Sequence, residues 1–67
     1  MISKDDAARI AGILNVNRGY APPRIRSHID KITLDLADAF LRDNHSFDHD
    51  RFLIAAGTPR KRDQPDQ

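Results

Sequence analysis

Residues 23–43 read PRIRSHIDKITLDLADAFLRD, and their periodicity decides the fold class. With residues placed about 100° apart, Ile25, Ile29, Ile32, Leu36, Ala39 and Phe40 fall on one stripe. Leu34, Ala37 and Leu41 fall on nearly the opposite side, and the band between them carries Lys31, Asp35, Asp38 and Arg42. Asp38 and Arg42 stand in the favourable i,i+4 order. Pro22 pushes Ala21 toward extended geometry, while Pro23 suits the first turn of a helix. A helix with two apolar seams is touched from two sides. In 67 residues those contacts are the other helices, or one of them is another molecule. Leu34, Ala37 and Leu41 therefore form the candidate partner-binding seam, with a second copy of the chain as one expected occupant.

The flanks complete a three-helix pattern. Toward the N-terminus, Ser3 followed by Asp6 is a variant capping box with Ile2 available to staple onto Ala7. Ala7, Ile10, Ala11 and Leu14 then mark one helical face, predicting a helix over about 4–15. The turn-rich Asn15-Val16-Asn17-Arg18-Gly19 is expected to end it. Toward the C-terminus, Asp48 reads as an N-cap flanked by Phe47 and Phe52 at hydrophobic-staple spacing. Gly57 reads as the stop, with Pro59 two residues on, predicting a helix over 48–56. The expected architecture is an all-α domain over 1–57, with the 23–43 helix as its spine, and a solvated, flexible polar tail over 58–67.

Composition narrows the function classes. A chain this short buries only ~60% of its unfolded surface, and its core seldom supplies more than ~3–5 kcal/mol unaided. With no cysteine, neither disulfides nor zinc thiolates can supplement it, which leaves a partner chain. No apolar run approaches the ~20 residues of a membrane span. Nor does an apolar stretch follow the start Met1-Ile2-Ser3-Lys4-Asp5-Asp6, so a cytoplasmic location is expected.

The net charge of +1 is unevenly distributed. Residues 1–31 hold six basic against three acidic side chains, and residues 32–57 hold two against five. The basic half admits nucleic acid as an alternative partner. Ala7-Ala8-Arg9-Ile10-Ala11-Gly12-Ile13 resembles the first helix of some helix-turn-helix proteins, and Arg24 and Arg26 would open the recognition helix with Arg9 and Arg18 flanking. The connector over 15–22 is about twice the length of that motif's 3–4-residue turn.

Catalytic and metal readings find little support. His45 and His49 have i,i+4 spacing with Asp43, Asp48 and Asp50 nearby, but the expected helix break falls between them. Ser27 and His28, being adjacent, diverge on a helix and cannot act as nucleophile and base. The 10 Asp, with no Glu, read as caps and solvated faces. A chain this small can hardly wall off a pocket of ~300 Å³, so no enzyme activity, cofactor or small-molecule substrate is expected.

The segment Asn44 to Gly57 resembles a closing pattern, Asn-x-x-Phe-Asp-x-x-Arg-Phe-Leu-x-Ala-x-Gly, of small uncharacterised proteins of actinobacteria and their phages. The resemblance implies a setting and carries no activity with it. The function expected is a small non-enzymatic binding or regulatory module, acting through protein contact or self-association. A small DNA-binding regulator is the alternative.

Overall fold

The computed structural model describes residues 2–59. Three helices follow one another, α1 (Lys4–Tyr20), α2 (Pro23–Asp43) and α3 (His49–Ala56), and the described residues include no strand. Both N-termini of α1 and α3 line one groove, and Gly57 at the end of α3 abuts Asn15 on α1. The two helices therefore run side by side in the same direction, and α2 returns between them in sequence.

The capping grammar is realised in detail. Ser3 Oγ accepts from the Asp6 amide at 3.0 Å, and Ile2 packs against the core cluster that includes Ala7. Asp48 Oδ1 accepts from the Arg51 amide at 3.1 Å. Gly57 adopts φ 77°, the left-handed conformation that a side chain resists. Its amide donates to Ile54 and that of Thr58 to Leu53, each at 3.0 Å, which together close a Schellman motif. A β-carbon at residue 57 would stand 2.9 Å from Asn15 Oδ1, so glycine is required there on two counts.

Helix α1 runs five residues past its expected end. Asn17 and Gly19 stay helical because nothing forces them out: Gly19 has no positive φ, and the Asn17 side-chain amide bonds back to the Ile13 carbonyl at 2.8 Å. The real stop is Pro22, which holds Ala21 extended at φ −87°, ψ 141°. Ala21 and Pro22 alone join α1 to α2, so the connector is far shorter than the 15–22 span expected.

The core is small and shallow. Ala7 and Ala11 from α1, Ala37 from α2, and Phe52, Leu53 and Ala56 from α3 are buried. Leu53 is the largest side chain fully enclosed. Phe40, Phe47 and Phe52 form a three-ring cluster with centroids 5.4–5.6 Å apart, two of the pairs edge-on, an arrangement that suits the ring quadrupoles. Phe47 thus does pack on Phe52 as the staple spacing predicts. Helix α3 touches both other helices and shares its broadest contact with α1. The shortest helix, rather than α2, is the hub.

The two seams read on α2 are one wide face. Ala37 is completely buried and Leu34, Leu36 and Phe40 pack against the core. Between the seams lies Thr33, also fully buried, whose hydroxyl donates to the Ile29 carbonyl at 2.8 Å. Ile25 and Ile32 are left outside, 48% and 44% exposed. Asp38 does not pair with Arg42 as its spacing suggests; it meets His49 on α3 at 3.0 Å. The i,i+4 pair that forms is Lys31 with Asp35, at 3.1 Å.

Thr58 corrects the expected tail. It is buried, and its Oγ1 finds no hydrogen-bond partner among the described residues; positions 60–67 lie outside those residues. An unsatisfied buried hydroxyl costs roughly 1–3 kcal/mol. Thr58→Val, which keeps the shape and removes the orphaned oxygen, should therefore raise stability by about 1 kcal/mol in urea denaturation. Phe52→Ala should lower it by ~3 kcal/mol or more, since it opens a cavity at the centre of the ring cluster.

Candidate functional site

The residues named from sequence are distributed very differently from one another. Of the proposed seam, Ala37 is enclosed, Leu34 packs against the core, and Leu41 is half-buried. That side of α2 faces inward, because the gap at Thr33 hides a single continuous buried face. Ala37 and Leu34 are thereby taken up by the core, and Leu41 is the member of the proposed seam that keeps some exposure without packing on that core.

The arginines split two and two. Arg18 clasps Asp30 with both ends of its fork, Nε to Oδ1 at 2.7 Å and Nη2 to Oδ2 at 3.3 Å. Both side chains are mostly buried, at 24% and 20% exposure. This bidentate pair ties the last turn of α1 to α2, in the geometry that makes arginine–carboxylate bonds strong. Arg26 Nη2 donates to the Ala21 carbonyl at 3.0 Å, closing the two-residue connector from the α2 side. Arg9 and Arg24 remain exposed. A basic surface built on all four residues is not present, since two of them are engaged in holding α1 to α2.

The histidines do not converge on a metal. His49 lies between Asp38, 3.0 Å from Nε2, and Asp50, 3.7 Å from Nδ1, whereas His45 is exposed in the α2–α3 turn. Among the described residues no group of three or more potential ligands comes together. Ser27 and His28 are both exposed on α2.

Two concavities mark the surface. A groove of about 590 Å³ runs between the N-terminal halves of α1 and α3, floored by Ala7, Ala11, Phe47 and Phe52. It exceeds what the chain length led one to expect. Its best-placed polar groups are already engaged, however: Ser3 and Asp48 cap helices, and Asn44 Oδ1 takes the Ser46 amide. The second is a shallow, open hollow on the outer side of α1, lined by Arg9, Gly12, Ile13, Val16 and Asn17 of that single helix.

That outer side is the part of the site the sequence reading did not find. Ile13 is 61% exposed, Val16 60% and Tyr20 88%. Val16 and Tyr20 belong to the extension of α1 beyond Asn15, so they form a helical face only once α1 is known to reach Tyr20. Gly12 lies on the same side and faces open space, since a β-carbon there would meet nothing within 4 Å. No helix of the described residues is long and apolar enough to cross a membrane.

Comparison with protein families, with curated proteins and with solved structures finds no match for the chain. The residues themselves therefore carry the functional reading. Because Arg26 is a connector clasp, Arg26→Ala should lower the urea midpoint. It should leave unchanged the slope of log affinity against log salt in any duplex titration, where a true phosphate contact would remove ~0.9 from it.

Proposed function

We propose that the chain is a non-enzymatic binding module that works through protein contact, with the outer face of α1 as its contact surface. One observation carries this reading. A domain in which four of the six described buried apolar residues are alanines keeps Ile13, Val16 and Tyr20 in solvent on a single side of one helix. Scattered exposed apolar residues are ordinary, whereas a contiguous patch with a polar rim is the usual mark of a binding surface. Tyrosine at 88% exposure fits that role, since aromatic side chains are enriched where partners meet. The engagement of Arg18 and Arg26 within the chain favours a protein partner over nucleic acid. The likeness of residues 44–57 to small uncharacterised actinobacterial and phage proteins implies a setting only and adds nothing to the choice of activity. Its quoted residues Asn44, Phe47, Asp48, Phe52, Leu53 and Gly57 serve capping, turn and core roles.

A photo-crosslinking amino acid placed at Val16, with a control at Asp35 on the charged side of α2, tests the proposal in producing cells. Irradiation should yield a discrete protein adduct from position 16 and none from 35. Equal labelling at both positions, or adducts at neither, would rule out α1 as the contact surface.

A further inference from the structure

We infer that the partner of this face is a second copy of the chain, docked antiparallel across α1 about a two-fold axis that passes between Leu14 and Asn15. This rests on the reading of the outer side of α1 as a binding face and specifies what occupies it.

The order of residues along α1 supports that occupant. At 100° per residue, Arg9, Ile13, Val16 and Tyr20 lie within about 60° of one line down the helix. The pairs Arg9 with Tyr20 and Ile13 with Val16 share one midpoint, between Leu14 and Asn15. Turning a second helix end for end about that point brings each residue level with its complement. Arg9 of one copy then faces Tyr20 of the other, a cation over an aromatic ring, twice across the dyad. Ile13 faces Val16, also twice, the two leaning to opposite sides of the centre line so that they interleave. Val16 leans toward Gly12 of the other copy, where the missing β-carbon leaves open space. A parallel pairing in the same register would set Arg9 against Arg9, a like-charge contact. An isologous interface must be complementary to itself, and this face is so only in the antiparallel sense.

The size of the face sets the strength of the pairing. Arg9 to Tyr20 spans about 16 Å of one helix, so the contact draws on far fewer than the ~20–30 residues a side of a standard interface. The dimer is therefore of micromolar rather than nanomolar affinity.

Sedimentation equilibrium on the full chain from ~10 µM to ~1 mM tests this. The mass should rise from 7.6 kDa toward twice that value. Val16→Asp and Gly12→Leu should each hold the mass at the monomer value while circular dichroism still shows the helical fold, because both positions are exposed; the Gly12→Leu midpoint should rise, since leucine is the better helix former. Tyr20→Arg sets Arg9 against a second cation and should weaken pairing at least ~10-fold, and Arg9→Glu combined with Tyr20→Arg should restore most of it. Within one chain residues 9 and 20 are too far apart to touch, so the rescue reports only contact between copies in the antiparallel register. A wild-type mass that stays at the monomer value throughout would overturn the inference, and so would failure of the double variant to recover. If the chain is monomeric yet Val16 crosslinks to a different polypeptide, self-pairing is wrong while the binding role of α1 stands.

Discussion

Leu53 seated among alanines is the contact on which the rest of this protein depends. Ala7, Ala11, Ala37 and Ala56 are buried around it, and small side chains at a helix contact let axes approach within the ~8–10 Å typical of packed helices. The cost is depth. Among the described residues, Phe52 and Leu53 are the large apolar side chains that are buried, and a fully buried side chain of that size contributes ~1.5–3 kcal/mol. The core is therefore marginal. The bidentate Arg18–Asp30 pair and the Arg26 clasp hold the end of the α1–α2 hairpin away from the phenylalanine cluster.

Shape follows from the same constraint. The molecule measures 32 × 27 × 14 Å along its principal axes. The smallest extent is close to one interaxial spacing plus the width of a Cα cylinder, about 13–15 Å. No helix is more than one neighbour from water, and each keeps an outer side. On α2 that side is mixed, with Lys31 and Asp35 paired on it and Ile25 and Ile32 about half exposed beside them. On α1 it is more open and more apolar, with Ile13, Val16 and Tyr20 60–88% exposed, and α1 is the contact surface we propose.

The fold was largely legible in the sequence because its boundaries are set by local chemistry. Asp48, Gly57 and Ser3 each act through backbone groups within a few residues, and such signals need no tertiary knowledge. Two features escaped for physical reasons. Asn17 and Gly19 favour turns in isolation, but the tertiary pull of Arg18 on Asp30 and the bond from Asn17 to Ile13 keep them helical. Thr33 breaks the apolar pattern of α2, yet its hydroxyl is satisfied within its own helix. It can therefore be buried, and two apparent seams merge into one inward face. The candidate site moved with them. Ala37 and Leu34 turned inward, Leu41 is half-buried, and Val16 and Tyr20 joined a helical face only when α1 was seen to extend that far.

Helix α3 is the hub of the fold and is also the last of the three to be made. While the ribosome is still adding residues before His49, Ala7, Ala11 and Ala37 have no Phe52 or Leu53 to cover them. At roughly 5–20 residues per second, the α1–α2 hairpin waits, incomplete, for about 1–3 s while the chain is extended from Asp43 to Ala56. Helices form within about a microsecond, so α1 and α2 can be in place, joined by their two-residue connector, when α3 emerges. Docking of eight residues, His49–Ala56, then completes the domain, and synthesis rather than chain diffusion sets the pace at which it matures.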